Sequence, residues 1–283
     1  MGYLDRNRDR EAASFANINL MGRCNCDCYY CLGKDLPARS SPSLYTPHTA
    51  WPDFNIFLQR CADLNLRKLY LTGLDTDPLL YQHLADLITA LQADRRGFDV
   101  GLRTNGFALY GAAGPSLMNT INTCREEIGY SVLSLRPTTQ KMICGVSHVP
   151  DWLDIITRTK PPCRVSIVVN RCNQHEILEI IRHLAPLHPT YLNYIQLRRV
   201  CTETRLHDLW PDIHAYEQVY TQLYQTFPVQ GRLWGDADVF QIDDIPVVCW
   251  RTTKTTINSI NYFTDGTFSE DYFIIEGYQR AHP

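Results

Sequence analysis

No apolar run in this sequence reaches the roughly 18 residues that a membrane span requires, and its first residues, MGYLDRNRDREAAS, are too charged for a secretory signal. A soluble, cytoplasmic protein is expected. An excess of one charge is also lacking: 27 Lys and Arg stand against 30 Asp and Glu, a net of −3. That leaves no general field for attracting nucleic acid or an anionic membrane, and neither is expected as a partner. There is no internal repeat, no low-complexity tract and no linker rich in Gly, Ser or Pro. Over 283 positions, 45% apolar and 20% charged residues suffice to bury a core, and a chain of this length suits one α/β unit.

Cysteine is the residue in excess. Eleven is an odd number, and four fall between residues 24 and 31, which suits a reduced compartment and argues against a disulfide framework. The other seven, Cys61, Cys124, Cys144, Cys163, Cys172, Cys201 and Cys249, are scattered singly and form no further CxxC pair. Most are expected as small core residues.

Short β-branched or aromatic runs begin near Phe15, Lys68, Phe98, Ile128, Cys163 and Tyr191, and after the first interval they recur at about the length of a βα unit. Helices are predicted between them, over Pro52–Leu64, Leu79–Ala93, Gly114–Cys124, Pro150–Thr159, Gln174–Leu187 and Asp212–Thr226. Strands such as RVSIVVN and LNYIQLRR alternate too little for a solvent-facing sheet and read as parallel and covered. The expected fold is α/β, a partial (β/α)6 TIM-like barrel over residues 1–227. Residues 228–283, with VFQID, IPVVCWR, TTINSINYF and DYFIIEG separated by turn signals such as Asp265-Gly266, form a small β-rich C-terminal extension of the same folding unit. This extension is expected to close one end of the barrel. Residues 34–53, with prolines at 37, 42, 47 and 52, read as a loop.

The run Arg23-Cys24-Asn25-Cys26-Asp27-Cys28-Tyr29-Tyr30-Cys31 follows the first strand directly. Loops at the C-terminal ends of parallel strands are where such folds place their chemistry. Three thiolates spaced C-x3-C-x2-C can hold three corners of a cubane iron–sulfur cluster and leave one iron open. Cys24, Cys28 and Cys31, with aromatic Tyr30 before the last of them, resemble the motif of the radical S-adenosylmethionine (SAM) enzymes. The resemblance covers roughly residues 15 to 200. It implies a 4Fe-4S cluster whose free iron chelates SAM and reduces its sulfonium to a 5′-deoxyadenosyl radical, with an electron donor such as flavodoxin or ferredoxin. A structural zinc is the alternative, but no second CxxC follows to complete its ligands. Cys26 is expected to point away from the cluster.

The resemblance also suggests SAM contacts. Thr72, Gly73 and Asp75, after strand two, match the family's Gly-Gly-Glu-type element, with Asp75 shorter than the usual Glu. The alternative is a plain strand-to-helix turn. Asn105, in Leu102-Arg103-Thr104-Asn105-Gly106, either bonds SAM or tolerates the turn. Family analogy puts Ser134 and Asn170 on ribose hydroxyls and Arg136 near the SAM carboxylate, and each is equally well a structural residue. Arg198 and Arg199 bind substrate or form ordinary ion pairs.

Inverting a stereocentre requires a hydrogen donor across the substrate from SAM, and a thiol suits that task. Cys249, in Asp243-Asp244-Ile245-Pro246-Val247-Val248-Cys249-Trp250, is the candidate; its alternative is a buried strand cysteine. Asp236, Asp238, Asp243 and Asp244 gather just before it and suit a cationic amino-sugar substrate, or else form a solvated acidic loop. Together these features resemble the aminoglycoside-tailoring radical SAM epimerases, which act as in the C-5‴ inversion of neomycin C to neomycin B. Modification of a peptide or of another small molecule is the alternative activity, and a non-enzymatic Fe–S or zinc protein is a third.

Overall fold

The structure is a computed structural model, described over residues 15–35, 43–202, 204–233, 237–250 and 259–269. Six strands lie parallel and side by side in chain order: β1 (Phe15–Met21), β2 (Lys68–Leu74), β3 (Asp99–Thr104), β4 (Ile128–Ser131), β5 (Cys163–Val169) and β6 (Tyr194–Arg199). Among the described residues seven α-helices accompany them: α1 (Phe54–Asp63), α2 (Leu84–Ala93), α3 (Gly114–Ile121), α4 (Pro137–Cys144), α5 (Trp152–Arg158), α6 (Ile177–Leu184) and α7 (Leu206–Thr226). None of the helices among the described residues is long and apolar enough to cross a membrane.

The partial (β/α)6 barrel is present, but the described part of the C-terminal extension does not close one end of it. It supplies β7 (Val229–Leu233), β8 (Ala237–Ile242), β9 (Ile245–Trp250), β10 (Ser259–Phe263) and β11 (Phe268–Ser269). β9 pairs parallel to β6 and β10 parallel to β1, so the extension flanks both borders of the six-strand core. β8 and β7 follow antiparallel beyond β9, and β11 beyond β10. The reason is backbone pairing: β1 and β6 would otherwise carry unpaired N–H and C=O groups, and the apolar runs IPVVCW and SINYF satisfy them. The expected strand DYFIIEG lies outside the described residues. So do residues 36–42 of the proline-rich loop, whose later part holds short 3-10 turns at Ser43–Tyr45 and His48–Ala50.

Because strand side chains alternate, each strand presents one set of residues to the helices and another to the barrel interior. Ile18, Leu71, Leu102, Val165 and Leu197 pack with Phe57, Leu87, Ile180 and Leu184 of the helices. In α6 the buried residues are Ile177, Ile180, Ile181 and Leu184, the stripe expected from the sequence. Each such side chain contributes about 2 kcal/mol on burial. The interior side is far more polar, with Asn17, Asn19, Thr72, Arg164 and Gln196 among its buried residues.

Two helices depart from expectation. α4 is polar enough (PTTQKMIC) to read as loop, yet Pro137 occupies its first turn and Gly145 ends it at φ 77°. A proline start and a left-handed glycine stop are what fix so short a helix. α7 begins at Leu206 rather than Asp212 because Pro211 sits in its second turn, where it removes a single backbone bond without ending the helix.

Candidate active site at the C-terminal ends of the strands

The cysteine loop leaves β1 at its C-terminal end and is held by three distant parts of the chain. The end of α4 takes its backbone: Asp27 N donates to Cys144 O at 2.9 Å and Tyr29 N to Ile143 O at 3.1 Å. The turn after β3 takes its side chains. Asn105 Nδ2 donates to Asn25 Oδ1 at 2.8 Å and lies 3.6 Å from the Sγ atoms of both Cys24 and Cys26. The segment after β6 takes its carbonyls: Arg205 donates from Nη1 to Tyr29 O at 2.8 Å and from Nη2 to Cys31 O at 2.6 Å. Arg205 Nε in turn pairs with Asp35, which also accepts from Thr202 Oγ1 at 2.6 Å. Burial alone would raise the Asp35 carboxyl, but the bonds from Thr202 and Arg205 outweigh it and hold the group below the ordinary carboxylate range.

Cys24, Cys28 and Cys31 are each half-buried. Burial pushes the Cys31 thiol above its usual value. Cys26 does not point away, as the sequence suggested; its sulfur lies with that of Cys24 beside Asn105 Nδ2, and it packs in the same cluster as Cys28 and Cys144. Cys144 is fully buried, as expected of a core cysteine, yet it lies against the motif. Tyr30 is buried beside Leu133, Ile143, Cys144 and Leu209, and its hydroxyl has no hydrogen-bond partner among the described residues. Tyr29 donates to Asp212 of α7 at 2.6 Å. Among the described residues no three His, Cys, Asp or Glu side chains converge closely enough to hold a single metal ion. Three thiols strung along one loop fit the corners of a cubane rather than a mononuclear zinc.

Of the residues suggested for SAM, the element after β2 does reach the loop. A side chain at Gly73 would strike Thr76 O at 1.9 Å and one at Gly33 would strike Asp75 N at 2.7 Å, so only glycine lets these backbones meet. Asp75 is exposed, with left-handed φ of 55°. Thr72, on the interior side of β2, donates to Asn19 Oδ1 at 2.7 Å. Buried Asp77 accepts from Asn105 N at 2.7 Å and from Thr104 Oγ1 at 2.8 Å, tying the ends of β2 and β3 together.

Other suggested contacts need correcting. Ser134 is fully buried, donates to Glu176 and accepts from Arg136 N, so no ribose can reach it. Asn170 is fully buried and caps the turn after β5, accepting from Cys172 N at 2.9 Å. Arg136 heads α4 and pairs with Glu179 at 2.5 Å and Glu176 at 4.0 Å, which neutralises the cation meant for the SAM carboxylate.

The late cysteine and its acids are elsewhere as well. Cys249 pairs in register with Leu197, and both belong to the helix-facing core; Cys249 is 1% exposed, while Val248 and Trp250 take the interior side. The thiol therefore does not face a substrate in the barrel. Asp238 shares that outer side, buried, with Tyr220 and Arg232 bonded to its carboxylate. Asp243 and Asp244 form the β8–β9 turn with φ of 45° and 65°, at the N-terminal end of β9, away from the cysteine loop, and Asp243 pairs with Arg182 at 3.3 Å. Asp236 lies outside the described residues. Asp238, Asp243 and Asp244 thus form no cap over the barrel mouth.

Arg205 escaped the sequence reading because no local motif marks it. Its partner Cys31 is 174 residues away.

No family model matches the chain. It is 26% identical over 239 residues to the GTP 3′,8-cyclase of Nostoc sp. strain PCC 7120, covering 81% of this chain and 70% of that protein. Among solved structures it resembles Streptococcus suis SuiB bound to S-adenosylmethionine, with TM-score 0.58 at 13% identity over 94% of this chain. It also resembles anSMEcpe with bound AdoMet, with TM-score 0.53 at 12% identity over 76% of this chain. In fold the chain is similar to these AdoMet-bound proteins, and its C-x3-C-x2-C loop stands where the sequence resemblance to the radical SAM enzymes puts it. It spans 61% of the length of SuiB and 60% of that of anSMEcpe. Those structures of SuiB and anSMEcpe hold S-adenosylmethionine. Cys24, Cys28 and Cys31 are free thiols on one loop, and the Gly73–Asp75 element packs against that loop at Gly33.

Proposed function

We propose that this chain is a radical SAM enzyme, with SAM and a 4Fe-4S cluster as cofactors, that abstracts a hydrogen atom from a small-molecule substrate bound inside the barrel, at the C-terminal ends of the strands. The observation that carries the reading is the cysteine loop at the end of β1, fastened by Asn105, Arg205 and the end of α4. When bound, the cluster supplies the electron that splits SAM into methionine and a 5′-deoxyadenosyl radical. Cys24, Cys28 and Cys31 hold it, Asn105 sits beside the Cys24 sulfur, and Arg205 fixes the loop carbonyls so that the thiols keep their spacing. Thr72 and the exposed Asp75 are the groups that orient the amino end of SAM. A flavodoxin or ferredoxin is the proposed electron donor.

An aminoglycoside epimerase would need a thiol opposite SAM and carboxylates around a polycationic sugar. Of the residues put forward for those tasks, Cys249 and Asp238 lie on the outer side of the sheet and Asp243 and Asp244 at its far end. The radical chemistry is therefore carried forward without the amino sugar. The relatives named as GTP 3′,8-cyclases favour a small substrate. The test is anaerobic reconstitution followed by dithionite and SAM: iron and sulfide near four of each per chain, with release of 5′-deoxyadenosine, supports the reading. Reconstituted protein that leaves SAM intact overturns it.

A further inference from the structure

The interior side of the sheet carries more positive charge than the site described so far uses. Around Tyr194, on the interior side of β6, stand the guanidiniums of Arg103, Arg164 and Arg198 and the carboxylate of Glu127. Arg164 is neutralised there: its Nε lies 2.6 Å from Glu127 Oε1 and its Nη1 donates to Gln196 Oε1 at 2.9 Å. Arg103 lies over the rings of Phe15 and Tyr70, 5.1 and 4.7 Å from their centroids.

Arg198 differs from both. It is half-buried and two residues nearer the C-terminal end of β6 than Gln196, in register with Val168 on one side and Trp250 on the other. Strand alternation sends its side chain to the interior at the end where the cysteine loop lies. Among the described residues it forms no ion pair. Nor do the interior residues of the neighbouring strand ends, including Asn19, Thr72, Ser131 and Ser166, include an Asp or Glu. A guanidinium removed from much of its water without a carboxylate is costly, and a planar oxyanion that accepts two parallel bonds relieves that cost.

We infer that Arg198 anchors an oxyanion, phosphate or carboxylate, on the small-molecule substrate that lies beside SAM in the barrel. The inference rests on the proposed radical chemistry at the same end of the sheet, and it makes the substrate anionic. A bidentate guanidinium contact fixes the substrate's orientation as well as its affinity.

Calorimetric titration of the reconstituted enzyme with pyrophosphate, citrate and neomycin tests this, on the wild type and on Arg198→Ala, Arg198→Lys and Arg199→Ala. Arg199 is the control because its guanidinium lies on the opposite side of β6, 3.9 Å from Glu217. The expected result is that pyrophosphate or citrate binds, which also tells phosphate from carboxylate. Arg198→Ala should weaken that binding at least tenfold, Arg198→Lys less, and Arg199→Ala not at all. The inference is overturned if neither anion binds, if Arg198→Ala and Arg198→Lys bind as the wild type does, or if neomycin binds more tightly than both anions. It is also overturned if Arg198→Lys loses affinity for SAM itself, since the guanidinium would then serve the SAM carboxylate. Failure of the same preparation to release 5′-deoxyadenosine while anions still bind would instead remove the radical chemistry.

Discussion

The cysteine loop, with four cysteines, and the C-terminal extension, with Cys249 alone, each set cysteine near acid and aromatic residues, yet the sheet uses them in opposite ways. In the loop, side chains and carbonyls are held by partners from remote parts of the chain, Asn105 and Arg205 above all, and the thiols stay half-buried. In the extension, Asp238 is bonded by Tyr220 and Arg232, 18 and 6 residues away, and Cys249 is sealed among apolar neighbours. The two regions differ in their position on the sheet. A strand residue changes sides with a shift of one place, so a cysteine next to Trp250 in sequence is on the other side of the wall from it.

The sharpest way to break this contrast is at the loop thiols. Replacing any one of Cys24, Cys28 or Cys31 by Ala should abolish 5′-deoxyadenosine formation and strip most of the iron. Cys26→Ala should retain the iron, measured by chelation assay. Equal iron loss in all four variants would erase the distinction between ligands and neighbour. Next in size is Arg205→Ala, which leaves Asp35 buried without its cation and should cost about 3 kcal/mol. SAM cleavage should fall at least tenfold, with an altered electron paramagnetic resonance signal of the reduced cluster; an unchanged signal would make Arg205 a stability residue only.

The same pair predicts a pH effect. The folded-state pKa of Asp35 lies below its unfolded value, so its contribution is present above about pH 4 and is lost as pH falls through the folded value. Acid unfolding of Asp35→Asn should lack that step. A smaller effect is expected from Cys249→Ala: about 1 to 2 kcal/mol of stability, read by denaturant melting, with SAM cleavage and product preserved. Loss of product at unchanged stability would return Cys249 to the reacting centre. Smallest of all, Asp244→Gly relieves a left-handed residue in a two-residue hairpin turn and should stabilise by about 0.5 kcal/mol. A fall in melting temperature would mean that the Asp244 side chain contributes more than its strained backbone costs.

Much of the fold was legible because β-branched runs and helical stripes are local signals. Strand starts expected near Phe15, Lys68, Ile128 and Cys163 are the observed ones, and those expected at Phe98 and Tyr191 fall within three residues. The cysteine motif was legible for the same reason, being one contiguous loop at a strand end. What was not legible depends on register or on distant partners. Ser134, Arg136 and Asn170 have the right chemistry for SAM, but Glu176, Glu179 and the turn after β5 claim them, and nothing near them in sequence announces it. The acids before Cys249 were read as a mouth because the direction of β9 relative to β6 is a property of the whole sheet.

That direction has a further effect on how the chain survives on its own. Because β9 and β10 cover β6 and β1, cutting the chain after residue 228 would bare two long apolar borders at once. Such a fragment should recruit strands from other copies of itself and precipitate rather than persist as a small barrel. The late segment therefore guards against self-association, quite apart from any part it plays in chemistry.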